Sequence, residues 1–121
     1  AKQFADRTHF VHLRSCYIFP NGNFTEASHL GGRGHLIELC RIFEKAEQEG
    51  KCNSGRRLPM RVDHGMTFTD EPGGVFDESN HGHNAGYTLL GRMFAMGQIQ
   101  GVIATVDDEL GIEYKQPGFY D

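Results

Sequence analysis

Hydrophobic and polar residues alternate along Thr8–Leu13 (THFVHL), a segment rich in β-branched and aromatic side chains. Alternation of this kind is typical of a β-strand, so we predict the first strand here. Phe10 and His12 then share one face of the strand, and Val11 and Leu13 lie on the other. Because both faces carry apolar residues, we expect a sheet that is covered on both sides.

The second predicted strand lies within Leu58–Gly65 (LPMRVDHG). Apolar residues flank Arg61 on both sides after a loop marked by proline, which favours a brief strand. Asp63 and His64 then follow the carboxyl end of that strand, and Gly65 allows a sharp turn immediately afterwards. In α/β folds, reacting groups collect at this edge of the sheet because the loops that leave it converge.

Two segments show helical spacing. Within His35–Glu49 the apolar residues recur every three or four positions, and most of the charged residues fall on the opposite face. Cys40 belongs to the apolar face, and Gly50 is expected to end this helix. A second pattern predicts a helix from about Tyr87 to Asp107, weakened where Gly101 falls inside it.

The remaining segments complete the order of elements. Residues 1–7 (AKQFADR) lack an initiator Met and have the pattern of a helix end, so we expect the chain to be part of a longer one. Residues 15–34 and 66–86 contain glycine and proline turn signals and are predicted to be long loops, and residues 111–121 a surface tail. Strands that alternate with helices imply parallel pairing in an α/β fold. Two strands make a poor sheet, so further strands are expected upstream or on another chain.

The composition of the chain makes several classes of function unexpected. The 121 residues are enough for one domain, and 12 Lys and Arg against 16 Asp and Glu give a formal net charge of −4. The basic residues are scattered, so no nucleic-acid partner is expected. We find neither an apolar run of about 18 residues nor a signal-peptide pattern, and we therefore expect a cytoplasmic protein with no membrane partner. The three cysteines lack a CxxC spacing and are expected to be reduced thiols.

Several polar residues are candidates for a functional site. His12 and Asp63 are expected at equivalent places near the ends of two successive strands, and imidazole with carboxylate suits Mn, Fe or Zn. A catalytic metal generally takes at least three protein ligands, so the alternative of a hydrogen-bonded buried histidine and a turn aspartate stays open. Arg14 is suited either to gripping a substrate carboxylate or to a surface ion pair. Tyr87 is suited to donating a proton or to anchoring the last helix.

The two predicted loops hold further polar candidates. His81 and His83 have a spacing that can bind a metal, although solvated histidines in a glycine-rich loop are the simpler interpretation. Glu26 and His29 are placed either near a ligand or in a loop salt bridge of small energetic value. The sequence has no GxSxG, P-loop or dinucleotide motif.

Four motifs occur in the order FADRTHFVHLRS, FTEASHL, LPMRVDHG and HNAGYTLLGR. With them, the chain from residue 1 to about residue 107 resembles the C-terminal part of the mannonate dehydratase family. The resemblance implies a TIM barrel related to xylose isomerases, in which residues 1–110 would form the last βα units and residues 111–121 a tail. Because a TIM barrel typically takes about 250 residues, the barrel would be incomplete in this chain.

The resemblance also implies roles for individual residues. His12 in the FxHLR motif and Asp63 in the DHG motif correspond to ligands of Mn²⁺ or Fe²⁺. His64 corresponds to the catalytic histidine of the family, and Tyr87 in the GY motif to its partner tyrosine. The remaining ligands, a cysteine and a histidine, come from earlier strands in the family, and none of the three cysteines here is assigned to that role.

The implied reaction removes water from D-mannonate, a small sugar acid, to give 2-keto-3-deoxy-D-gluconate in hexuronate breakdown. We expect His64 and Tyr87 to divide the acid and base work in an order that the sequence leaves open, and Arg14 or Arg61 to hold the substrate carboxylate. A metal-dependent sugar isomerase or epimerase and a non-catalytic fragment are the alternatives. We expect the isolated chain to be inactive, and to associate with the upstream part of the barrel or to form a homo-oligomer.

Overall fold

The computed structural model describes residues 1–52, 56–66 and 89–113. The elements in chain order are a 3₁₀ helix Lys2–Arg7, strands β1 Val11–Leu13, β2 Cys16–Ile18 and β3 Phe24–Glu26, helix α1 Leu36–Gln48, strand β4 Met60–Val62 and helix α2 Leu89–Leu110. The strands form two small sheets, β1 with β4 and β2 with β3. The predicted mixture of helices and strands is confirmed, whereas no barrel is closed within the described residues.

The two predicted strands, β1 and β4, pair in parallel, with Val11 opposite Met60 and His12 opposite Arg61. The alternation within β1 is matched by burial, because Val11 and Leu13 are buried whereas His12 is exposed. The expectation of a sheet covered on both sides is therefore wrong for the part of the chain that the structure describes. One face carries the core, and the other presents His12 at the surface.

The first predicted long loop contains an antiparallel hairpin instead, in which β2 and β3 pair with Cys16 opposite Glu26. Its turn spans residues 20–22, and the N–H of Gly22 donates to the carbonyl of Phe19 at 3.0 Å. Gly22 has a φ of 88°, which glycine adopts without strain, and the Asn21 side chain accepts a hydrogen bond from the N–H of Asn23 at 2.9 Å. An Asn-Gly pair between two strand-like segments is itself a hairpin signal. The prediction of a loop here is wrong, because that signal outweighs the glycines around it.

Helix α1 confirms the predicted helix to within one residue at each end. Leu36, Cys40 and Phe43 are buried on its apolar face, as the spacing predicts. Burial raises the pKa of the Cys40 thiol to about 12, and all three cysteines are free thiols. Gly50 has a φ of 67° and follows the helix end, where a left-handed residue is favoured.

One hydrophobic core joins the parallel strands to both helices. It contains buried residues of β1, of α1, of α2 and of the segments beside them, namely Ala5, Val11, Leu13, Leu36, Cys40, Phe43, Ala46, Cys52, Leu58, Ile99, Val102 and Val106. The helices lie on the side of the sheet that Val11 and Leu13 face. Within the described residues, the core therefore lies on one side of the parallel sheet.

Helix α2 runs through Gly101 without a break and ends before Gly111, whose φ is 68°. Its side chains are apolar on more than the packed face, and Leu89, Met93 and Met96 are exposed. By length and composition alone, the helix is apolar enough to cross a membrane, with a mean hydropathy of 1.2 over its best 18 residues. This differs from the expectation that no apolar run of the chain approaches about 18 residues. A core helix of a soluble protein has the same composition, so the apolar surface indicates burial against something without identifying it.

Candidate active site

The carboxyl ends of β1 and β4 bring most of the described candidate residues to one edge of the sheet. The N–H of Asp63 donates a hydrogen bond to the carbonyl of Leu13 at 3.0 Å, which extends the pairing one residue beyond β4. Since His12 lies opposite Arg61 and side chains alternate, Asp63 comes to the face that carries His12 and Arg14. The Nδ1 atom of His12 and the Oδ1 atom of Asp63 are 3.9 Å apart.

His12 and Asp63 fit part of a metal shell. Their 3.9 Å separation is too long for a hydrogen bond, but it is within the span of two ligands that each lie about 2.0 to 2.2 Å from one ion. Both side chains are accessible, with 48% and 27% of their surface exposed. No third His, Cys, Asp or Glu within residues 1–52, 56–66 and 89–113 completes a group that could hold a metal. A metal at this position would therefore take its remaining ligands from elsewhere.

His64 lies behind Asp63 and is buried, with 8% of its side chain exposed. Its Nε2 atom is 3.7 Å from Oδ1 of Asp63, and its Nδ1 atom is 3.6 Å from Oε1 of Glu26. The imidazole thus stands between carboxylates from two different elements. A neutral imidazole donates through one nitrogen and accepts through the other, so this position suits proton transfer.

Gly65 is required by packing rather than by the turn that its sequence position suggests. It is buried, and a Cβ atom at this position would overlap the backbone of Gly91 in the first turns of α2. The positive-φ glycines of the described chain are elsewhere, so no left-handed turn follows His64. The close approach of the two backbones holds the chain after β4, and His64 with it, against α2.

Glu26 ends β3 and contacts Arg14 through two donor atoms. Nε of Arg14 donates to Oε1 at 3.0 Å and lies 3.3 Å from Oε2, and Nη2 also donates to Oε1. These hydrogen bonds raise the pKa of Arg14 above its ordinary value. The guanidinium also lies over the ring of Phe24 at 5.3 Å, a favourable cation–π distance. Of the two alternatives for Arg14, a substrate carboxylate or an ion pair, the structure therefore shows an ion pair, and its partner is Glu26.

His29 supports the site without facing it. Its ring is buried, and Nε2 donates to the carbonyl of Leu13 at 2.9 Å because a carbonyl can only accept. Its backbone N–H donates to the side-chain oxygen of Gln98 in α2 at 3.0 Å. His29 thus ties the segment after β3 to the end of β1 and to α2. The sequence indicated that Glu26 and His29 lie in a loop, either near a ligand or in a salt bridge, and recognising the Asn-Gly hairpin would have placed Glu26 close to β1.

The remaining predicted residues are less central. Arg61 is exposed on the face of His12, and its Nε lies 3.4 Å from the carbonyl of Val62. Tyr87, His81 and His83 lie outside the described residues, so their assigned roles stay predictions. Chemically, the described part offers a pair of groups suited to a cation, a buried imidazole beside them and two guanidinium groups. This set suits proton transfer next to a negatively charged substrate group.

Comparisons with known proteins agree with one another. The family described as D-mannonate dehydratase (UxuA) matches residues 1–113. Mannonate dehydratase 2 of Agrobacterium fabrum is 35% identical over 112 residues, which are 91% of this chain and 26% of that protein. The mannonate dehydratases of Saccharophagus degradans and Brucella canis are 33% and 32% identical over 109 and 108 residues, 88% of this chain and 26% and 25% of those proteins. The chain thus spans about a quarter of the length of the curated relatives it matches.

Proposed function

Because the chain belongs to the D-mannonate dehydratase (UxuA) family, we propose that it is part of a cytoplasmic enzyme that converts D-mannonate to 2-keto-3-deoxy-D-gluconate in hexuronate breakdown. The observation that best supports this proposal is that the side chains of His12, Asp63 and His64 lie close together at one edge of the sheet. A pair suited to a cation then stands beside a buried group suited to proton transfer. Together they suit an elimination next to a carboxylate.

We propose that the chain forms the C-terminal part of a TIM barrel whose other units lie on the rest of the protein. The support is the parallel pairing of β1 with β4 and the packing of both helices on the face of Val11 and Leu13. In a barrel the helices cover the outer face of each strand, so the face of His12 would look into the interior. Missing units would cover that face and would also bury the exposed apolar side of α2.

We assign His12 and Asp63 as two ligands of Mn²⁺ or Fe²⁺, with further ligands from the rest of the protein. This ion, when bound, would act as a Lewis acid that stabilises the negative charge developing beside the substrate carboxylate. Nitrogen and carboxylate donors together suit both metals. The accessibility of both side chains leaves room for an ion and a substrate.

The proton transfers are assigned to His64 and Tyr87. The dehydration breaks the C–H bond next to the carboxylate and the C–O bond of the neighbouring hydroxyl. The proton passes to a base, the hydroxyl leaves as water with a proton from an acid, and the enol that remains rearranges to the 2-keto acid. His64 would act through Nε2, since its Nδ1 faces Glu26.

The substrate carboxylate is assigned to Arg61 or Arg14. Arg61 lies opposite His12 on the accessible face of the sheet and is exposed. Arg14 is anchored by Glu26, which fixes its guanidinium near the same edge. A planar guanidinium held in place recognises a carboxylate with little loss of side-chain entropy.

The test is a chimera in which this chain replaces the matched segment of the Agrobacterium fabrum protein. We expect the chimera to form a 2-keto acid from D-mannonate when Mn²⁺ is supplied, and the 121-residue chain alone to form none, because part of the metal shell is missing. A chimera that melts cooperatively and binds Mn²⁺ but releases no 2-keto acid would overturn the proposed reaction. Release of an isomer or epimer of the substrate would point to the isomerase alternative.

A further inference from the structure

We propose that Glu26 is a positioning residue, which fixes the ring of His64 through Nδ1 and the guanidinium of Arg14 through Nε. The inference rests on the proposed function only in assigning His64 and Arg14 to the reaction. Glu26 would touch neither substrate nor metal. Its task would be to decide which nitrogen of His64 carries the proton when the ring is neutral.

The hairpin places Glu26 at a fixed point beside the site. Glu26 pairs with Cys16 across the sheet, and the next residue, Ala27, donates its N–H to the carbonyl of Ser15 at 3.0 Å. The following glycines pack closely on this corner, because a Cβ atom at Gly32 would come within 3.0 Å of the Cys16 carbonyl. A carboxylate on a strand held in this way is well suited to orienting other side chains.

The side chain of Glu26 is also nearly buried. Only 9% of its surface is exposed, and 8% of that of His64. A buried carboxylate is costly unless it is paired, and Arg14 provides that pairing through its hydrogen bonds. Glu26 is thus a charge-compensated carboxylate beside a buried imidazole. It then presents an acceptor, and never a donor, to the Nδ1 atom of His64.

The distance between Glu26 and His64 is consistent with this role. Nδ1 of His64 and Oε1 of Glu26 are 3.6 Å apart, somewhat longer than a hydrogen bond. Hydrogen bonds between catalytic groups are often long in unliganded structures and shorten with substrate. An acceptor at Nδ1 selects the tautomer in which Nδ1 carries the proton and Nε2 carries the lone pair. Asp63 is the competing acceptor, because its Oδ1 is 3.7 Å from Nε2, but its side chain is 27% exposed against 9% for Glu26, so water binds its oxygens and the buried acceptor at Nδ1 is the stronger one.

The alternative is a purely structural role, in which Glu26 only anchors Arg14 and the hairpin. Loss of activity in a Glu26 variant would not separate the two. The tautomer of His64 distinguishes the two roles. An ion pair between Glu26 and Arg14 alone would not favour either tautomer of His64. Nitrogen NMR of the chain labelled with ¹⁵N-histidine reports that tautomer directly, without metal, substrate or turnover.

The experiment uses the 121-residue chain with a metal chelator at about pH 8.5, where an ordinary histidine is neutral. We expect His64 to be protonated at Nδ1 in the wild type and to shift towards the Nε2-protonated form in Glu26→Leu, while Glu26→Asp keeps the wild-type tautomer. The matched control is Glu109→Gln, which changes a similar bidentate pair with Arg41, whose Nε and Nη2 donate to Oε2 and Oε1 at 3.0 and 3.1 Å, away from the site. It should leave the His64 signal unchanged.

An Nε2-protonated or evenly mixed His64 in the wild type would overturn the proposal, whether or not any variant folds. An unchanged tautomer in a folded Glu26→Leu variant would do the same. In the chimera, Glu26→Leu should lower kcat about 10- to 100-fold with a smaller change in KM, as is typical of outer-shell residues. If the chimera proves inactive, the proposed function fails, while the NMR result still decides the role of Glu26.

Discussion

His29 and His64 are both buried near the carboxyl ends of β1 and β4, but their surroundings differ. Nε2 of His29 is bound to a backbone carbonyl of β1, which commits that ring to holding the structure together. His64 instead lies between Glu26 and Asp63, two groups that can share or direct a proton. At the scale of single residues, this contrast is what favours His64 over His29 for catalysis.

Replacing His64 by Asn in the chimera should lower kcat at least about 100-fold, because general acid–base catalysis typically contributes this much or more. The Mn²⁺ content should stay at the wild-type level, since His64 is not assigned as a ligand. His9→Asn, which changes an exposed histidine outside the site, is the control. Steady-state kinetics and metal analysis measure both effects, and unchanged turnover would remove His64 from the mechanism.

Glu44 is a buried carboxyl group remote from the candidate site. Only 1% of the residue is exposed, and it faces Asp107 of α2 and Arg57, whose Nη1 is 3.4 Å from Oε2. Burial raises the pKa of Glu44 to about 7, against the opposing effect of Arg57, and the charges of Asp107 and Glu47 raise it further. The group therefore changes its charge near neutral pH.

The contribution of Glu44 to the stability of the folded state should therefore decrease as the pH rises. The pKa of Glu44 is higher in the folded state, about 7 against an ordinary 4.5, so its contribution is complete below pH 4.5 and is lost as the pH rises through 7. Glu44→Gln should therefore lose less stability than the wild type between about pH 5.5 and 8. Urea unfolding at both pH values measures this, with the exposed Glu38→Gln of the same helix as control. Equal losses in Glu44→Gln and the wild type would refute the assignment.

At the scale of elements, the sequence predicts well those segments whose pattern is long or strongly periodic. α1 is correct to within one residue at each end, and the parallel pairing of β1 with β4 follows from their alternation with a helix. That pairing also predicts that His12 and Asp63 meet, because parallel strands end at one edge.

The hairpin was missed because, unlike β1, neither of its strands has a buried residue, so neither shows an alternation of core and surface positions. The contacts of Glu26 with Arg14 and His64 depend on that hairpin and on packing between distant segments. Local patterns do not contain this information. The same holds for Gly65, whose need for glycine comes from α2, remote in sequence.

Substitutions at two glycines test the backbone conformation after helix α1 and inside helix α2. Gly50 has a φ of 67° after α1, so Gly50→Ala should lower the free energy of unfolding by about 1 kcal/mol. Gly97 lies exposed inside α2 with nothing near its missing Cβ, so Gly97→Ala should raise it by up to about 1 kcal/mol. Urea unfolding measures both. Effects of the same sign would contradict the backbone conformations described.

At the scale of the whole molecule, two exposed surfaces of the chain are suited to contact with another part of the protein. The face of the parallel sheet that carries His12 is exposed, and so are apolar side chains of α2 such as Leu89 and Met93. The chain also spans about a quarter of its relatives' length. The proposed barrel explains these observations together, because its remaining units would cover both surfaces and complete the metal shell.

The affinity of the chimera for Mn²⁺, measured by titration with and without a change at Asp63, tests the central claim most directly. Asp63→Asn should weaken binding by more than about 10-fold, the least effect typical of residues that only support a ligand. Asp108→Asn, at an exposed aspartate near the end of α2, should leave the affinity unchanged. Equal affinity in the wild type, Asp63→Asn and Asp108→Asn would show that the edge of the sheet between β1 and β4 does not bind the metal.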